Sequence, residues 1–180
     1  MTMAVPGGDE QVVGEILNIT MRERFLTWRP DQQALVVTDL IPGATKEMAL
    51  WALPLDGSPR QQLTAPPAGH SDLAPTYSPN GKTLAFLRRG PKTEIYLKTQ
   101  AEEARRLTFE NGHMESLTWA PDGQTLLFNS RRATGRSVFR VGVAGGTPVR
   151  VAEIGGDPVQ IAGVEQVAER PVIRARARQT

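Results

Sequence analysis

The chain has 180 residues, of which 39% are apolar and 22% charged, with a formal net charge of +2. Such a composition excludes a disordered chain, and so small an excess of cations is no signature of nucleic-acid binding. There is no cysteine, hence no disulfide or thiolate metal site, and no apolar run approaches the roughly 20 residues that a membrane-spanning helix needs.

The 17 Gly and 14 Pro supply the reversals that many short elements require. At the N-terminus Met1, Met3 and Val5 alternate, and a turn beginning at Pro6 leads to Val13. Two short strands are expected there, over about 1–5 and 10–13. The opening stretch Met1–Glu10 has no basic segment followed by an apolar one, so it does not read as a secretory leader.

A first unit, about 25–64, opens on Trp28-Arg29-Pro30-Asp31-Gln32. It continues through the alternating Trp51, Leu53 and Leu55 to a turn at Asp56 and then Leu63. Asp31-Gln32 lacks glycine, so its turn is expected to be looser or more strained than a glycine turn. A long middle loop, LIPGATKEM, accounts for the extra length of this unit.

The second unit, about 73–108, carries Tyr77-Ser78-Pro79-Asn80-Gly81, then alternating Ile95, Leu97 and Thr99, a turn at Gln100 and Leu107. Its strands are expected at roughly 73–77, 83–88, 93–99 and 104–108. The third unit, about 116–152, repeats this with Trp119-Ala120-Pro121-Asp122-Gly123, then Phe139, Val141 and Val143, a turn at Ala144 and Val151. Asn80-Gly81 and Asp122-Gly123 supply the positive φ of a tight hairpin turn, with Pro placed where no ladder donor is lost. Beyond it, strands at about 158–163 and 171–178 resemble the first half of a further unit.

The anchor prolines, residues 30, 79 and 121, are 49 and 42 apart, and the turn starts at 6, 56, 100 and 144 are spaced 50, 44 and 44. Four strands in a repeat of this length make the blade of a β-propeller, whose sheets cover one another's faces. The expected fold is therefore all-β: a propeller of four-stranded antiparallel blades, four of them or a four-blade portion of a larger ring. Residues 1–180 form a single domain, with the terminal strands 1–13 and 158–178 making a shared or incomplete blade. A β-sandwich also has many short strands but needs no repeated strand sequence.

The stretch Pro75-Thr76-Tyr77-Ser78-Pro79-Asn80-Gly81-Lys82-Thr83-Leu84-Ala85-Phe86 resembles the blade motif of the TolB family, Pro-x-Trp-Ser-Pro-Asp-Gly-Lys-x-Ile-Ala-Phe. Thr118-Trp119-Ala120-Pro121-Asp122-Gly123 with Leu126-Leu127-Phe128 is similar, and Arg105-Arg106-Leu107-Thr108 matches a strand end frequent in that family. The resemblance covers about residues 25–152. It implies a six-bladed propeller that binds protein in the bacterial periplasm; without that resemblance a cytoplasmic location is expected. Similar blades occur in propeller domains of prolyl-oligopeptidase-type serine peptidases and in sensor regions of winged-helix transcriptional regulators.

There is no G-x-S-x-G elbow, no P-loop and no H-E-x-x-H, and with two histidines a Ser-His-Asp triad within the chain is not expected. Gly7-Gly8 and Gly145-Gly146 fall on hairpin turns rather than phosphate loops. His70 and His113 each follow a glycine in the connection between units, with Asp72 and Glu115 two residues further on and Glu23 in a similar place in the first unit. Around one channel mouth these five residues would form a polar rim for a cation or a basic peptide group. As isolated turn and capping residues they would instead satisfy backbone groups, and this plainer account carries more weight.

Arg174, Arg176 and Arg178 alternate as on a solvated strand edge that resists strand addition, and Arg88-Arg89 and Arg131-Arg132 look like repeated surface charge. The expectation is thus a non-enzymatic scaffold without cofactor or metal. It displays the end carrying 65–72 and 109–115, with 17–24 beside it, to a protein or peptide. No nucleic acid or membrane insertion is expected; unclosed sheet edges would favour a homodimer.

Overall fold

The computed structural model describes residues 26–109, 113–132 and 135–154. The expected terminal strands 1–13 and 158–178, Glu23 and the arginines at 174, 176 and 178 lie outside the described residues. All regular structure among the described residues is β-strand, in three antiparallel sheets of four strands, each built from strands consecutive in sequence. The first holds β1 (Leu26–Trp28), β2 (Ala34–Leu40), β3 (Met48–Pro54) and β4 (Gln61–Gln62). The second holds β5 (Ser71–Tyr77), β6 (Thr83–Arg89), β7 (Thr93–Thr99) and β8 (Arg105–Arg106). The third holds β9 (His113–Trp119), β10 (Thr125–Arg132), β11 (Gly135–Gly142) and β12 (Val149–Ile154). This is the blade architecture that the repeat implies.

The β1–β2, β5–β6 and β9–β10 hairpins share one turn geometry. The N–H of Gly81 donates to the carbonyl of Ser78 and that of Ser78 to Thr83; Gly123 with Ala120, and Gln32 with Arg29, do the same. Only the last residue of each turn has positive φ: +72° at Gly81, +63° at Gly123 and +59° at Gln32. The Asn80 and Asp122 backbones contribute none, so the turn is a type I reversal followed by one left-handed residue rather than a two-residue turn. Asp31 and Asn80 each cap the turn through their side chains. The first unit's turn is therefore strained rather than loosened, because a glutamine occupies the left-handed position.

Alternation along the middle strands gives each sheet two apolar faces. Leu84 and Phe86 of the second sheet pack on Val36 and Leu50 of the first. The opposite face of the second sheet, with Ala85, Leu87, Ile95 and Leu97, packs on Leu126, Phe128, Phe139 and Val141 of the third. Phe86 and Phe128 are fully buried, and burying a phenyl ring stabilises by about 1.5–3 kcal/mol. Polar contacts fix the stacking order. The indole N–H of Trp119 donates to the carbonyl of Thr76 at 3.1 Å, and the guanidinium of Arg105 donates to the carbonyl of Val143 at 2.7 Å.

The outermost strand differs between units. In the first two sheets it is only two residues long, because the hydroxyls of Thr64 and Thr108 accept the N–H groups of Leu50 and Ile95 at 3.0 Å. Ala152 stands in the third unit where those threonines stand, and it has no hydroxyl. There the ladder continues with Val138 opposite Ala152, and β12 reaches six residues with a bulge at Val151. Val151 is accordingly 55% exposed, whereas Leu107 at the matching position is 4% exposed.

Candidate functional site

The connection 63–70, running from the first sheet's outer strand to the second sheet's inner strand, and residues 107–109, which follow the second sheet's outer strand, share an end of the stack with the β6–β7 turn. Four of the five sequence-predicted site residues are described there, and the structure does not assemble them. The inner strands explain why. His70 precedes the anchor Tyr77 by seven residues, but His113 precedes Trp119 by six. On an extended chain one residue reverses the side-chain direction, so the two histidines are not equivalent.

His70 ends its connection, with Nδ1 donating to the carbonyl of Ala68 at 3.1 Å. Its imidazole lies on Gly90 of the β6–β7 turn, where a Cβ would stand 2.4 Å from Cδ2 and Nε2. His113 begins β9 and is exposed.

Asp72 is fully buried, and both of its oxygens accept from Arg88, at 2.6 Å and 2.8 Å. Burial works to lower the Arg88 pKa, but the hydrogen bonds and charge of Asp72 outweigh it and hold the guanidinium above its usual value. Arg88 stacks over Tyr96 at 4.5 Å, and its side chain is 11% exposed, so it is not the surface charge that the Arg-Arg repeat suggests. Glu115 is the bulged residue of β9, with Arg136 3.4 Å away. Among the described residues no three His, Cys, Asp or Glu side chains are grouped to hold a metal ion, so a cation at this rim has no structural support.

The exposed chemistry at this end lies elsewhere. Phe109, the residue after the Leu107-Thr108 clasp, is 75% exposed, and the Arg106 guanidinium sits 4.4 Å from its ring centroid. Arg106 is held by Glu94 at 2.7 Å and by the carbonyl of Thr108 at 2.7 Å, while Thr108 donates to Glu94 at 2.6 Å. Phe109, Leu107, Arg105 and Arg106 line one side of a cleft of about 440 Å³ along the outer edge of the stack, and the Ala144–Pro148 turn, the β11–β12 reversal at the opposite end, lines the other. Aromatic residues, phenylalanine among them, and arginine are each enriched in protein interfaces. The sequence signal for this pair is the aromatic that follows the Arg-Arg-Leu-Thr strand end; the sequence analysis used that strand end for fold and left Phe109 unread.

No family model matches the chain. A stretch of 67 residues, 36% of the chain, is 36% identical to the uncharacterized peptidase YuxL of Bacillus subtilis and corresponds to 10% of that protein. Among solved structures, TolB of Acinetobacter baumannii is similar over 70% of this chain and 31% of its own, with a TM-score of 0.58 and 26% identity. A protein described as TolB from Agrobacterium tumefaciens is similar over 71% of this chain and 45% of its own, at a TM-score of 0.60 and 24% identity. A puromycin-hydrolyzing peptidase of Mycobacterium tuberculosis matches 72% of this chain and 23% of its own, with a TM-score of 0.56 and 19% identity. The described sheets are thus TolB-like β-propeller blades, and the chain spans less than half the length of each of these proteins.

Proposed function

We propose that the chain is a non-enzymatic binding scaffold whose stacked sheets present the end carrying 65–72 and 109–115 to a protein or peptide. The observation that carries this reading is Phe109, 75% exposed beside a guanidinium that Glu94 and Thr108 fix in place. An aromatic held out of the core on a braced loop root loses little conformational entropy when it is covered, which favours recognition there. His113 and Glu115 sit further along the same end as its polar margin. Asp72 and His70 serve the reading indirectly, by bracing the inner strand and the neighbouring turn. A periplasmic setting belongs to the same TolB-like reading. No observation on the described residues favours the homodimer expected from open sheet edges.

The test is selection of peptides from a displayed library against the whole chain, followed by affinity measurement with Phe109→Ala and Arg106→Ala. Binding should fall about tenfold or more with Phe109→Ala, the ordinary cost of losing an aromatic anchor. Selected peptides indifferent to Phe109→Ala, Arg106→Ala and His113→Ala would overturn the reading.

A second reading has its own support: the 36% identity to a peptidase over 67 residues, and the peptidase propeller among the similar structures. Here the sheets are the accessory propeller of a serine peptidase and filter its substrate. Restored peptide hydrolysis on mixing the chain with the catalytic domain of such a peptidase distinguishes this reading from the first. A winged-helix regulator's sensor is a third setting for the same display surface.

A further inference from the structure

The stack has two outer faces, and they differ. Leu35, Val37, Trp51 and Leu53 on the outer face of the first sheet are each at most 7% exposed. The outer face of the third sheet is open. It repeats the positions that the first two sheets bury against a neighbour. Leu127 matches Val36 and Ala85, Val138 matches Leu50 and Ile95, and Val151 matches Leu63 and Leu107. Val36, Ala85, Leu50 and Ile95 are all fully buried. On the third sheet Leu127 and Val138 are only half-buried, while Val149 and Val151 on β12 are 53% and 55% exposed. The apolar pattern of a covered face is thus present where no described sheet covers it.

We infer that residues 158–178 of this chain dock on that face, so that the third sheet is covered from within the same molecule. The connection from an outer strand to the next sheet's inner strand occupies residues 63–70 and then 107–112, and it always leads onto the face of the sheet just completed. The chain leaves β12 at Ile154 with 26 residues still to come, enough for such a connection and two strands at about 3.3 Å per residue. Val159 and Ile161 alternate, as a strand lying on Leu127 and Val138 requires. The inference deepens the expected shared terminal blade and does not depend on the binding reading, because no partner enters its test.

The sequence has no cysteine, so Val151→Cys in the full chain places a single thiol on the face. Its maleimide labelling is compared with that of Ser58→Cys, on an exposed turn. The Cys at 151 should react at least about tenfold more slowly, at a rate independent of protein concentration, and Ile161→Asp should restore fast labelling. A photo-crosslinker on the same thiol should join it to a peptide within 158–178 of the same chain. Labelling as fast as at position 58, protection that grows with protein concentration, or crosslinks to a second copy would each overturn the inference. Val149→Cys repeats the measurement if the first variant does not fold.

Discussion

Gly81 closes against Pro30 so tightly that a Cβ built on the glycine would stand 2.5 Å from the proline Cβ. The turn of one sheet therefore nests on the turn of the sheet before it, and the next pair repeats the arrangement more loosely, with Gly123 3.6 Å from Pro79 on the same measure. Gly81→Ala incurs both a positive-φ penalty and this clash, and should destabilise by about 2–4 kcal/mol. Gly123→Ala incurs the φ penalty alone, about 1–2 kcal/mol. Urea unfolding of both variants checks the difference, and equal losses would mean that the Pro30 contact carries no weight.

Gln32 holds the same left-handed position at φ +59° with a full side chain. Gln32→Gly should raise stability by about 0.5–1 kcal/mol, seen as a higher melting temperature, because the strain relieved exceeds the backbone entropy lost.

The repeat was legible because aromatic-x-Pro and glycine turn residues recur at positions that the backbone itself demands. Tyr77 and Trp119 sit at matching ends of β5 and β9, and alternation locates the middle strands. Their register is a correction: Phe139 pairs with Phe128 as Tyr96 pairs with Phe86, so Phe139 matches Tyr96 and not Ile95, and the two apolar sets face opposite sides of their sheets. The outer strands were less legible. Whether Leu107 is clasped or Val151 bulges from a longer ladder depends on one hydroxyl a residue later, Thr108 against Ala152, which alternation does not register. The relation between the candidate site residues was illegible for a similar reason. Glycine-histidine pairs look equivalent in sequence, but the one-residue offset from the aromatic anchors separates them. The burial of Asp72 depends on Arg88, a partner 16 residues away across a hairpin.

Asp72 and Arg88 form an enclosed ion pair, with side chains 0% and 11% exposed. Asp72→Ala leaves a desolvated guanidinium against Tyr96 and should cost about 3–5 kcal/mol. The double variant Asp72→Leu with Arg88→Met should regain much of that loss, because no charge then remains buried. Denaturant midpoints of the single and double variants measure both effects. A single variant as stable as the parent would show that the pair is solvated in solution.

The carboxyls that cap exposed turns give a defined acid response. Asp31 is held below its usual pKa by the Arg29 hydrogen bond, Asp56 by the Ser58 hydroxyl, and Asp122 by the Gln124 N–H with the Thr125 hydroxyl. Each is depressed in the folded state, so its contribution is complete above the unfolded value of about 3.9 and is lost as pH falls toward the folded one. These caps should contribute no pH dependence to the urea midpoint between about pH 5 and 8, and should lower it below about pH 4. Asp122→Asn should be less stable than the parent at neutral pH, and the gap should close as acid protonates the parent's carboxyl. A gap of constant size would show that the carboxylate charge adds nothing to the cap.

His70 and Gly90 decide whether that histidine is a brace or a ligand. The Gly90 backbone does not need positive φ, so alanine is barred there only by the imidazole 2.4 Å from its Cβ position. Gly90→Ala alone should cost about 1–3 kcal/mol through overpacking. Adding His70→Ala empties the space, so the double variant should be more stable than Gly90→Ala, with a coupling of about 1 kcal/mol or more in a double-mutant cycle. The same His70→Ala change should leave peptide affinity at the Phe109 cleft within about twofold, because the ring faces the β6–β7 turn. Additive stabilities together with a large loss of affinity would return His70 to the binding rim and remove its role as a wedge between the connection and the turn.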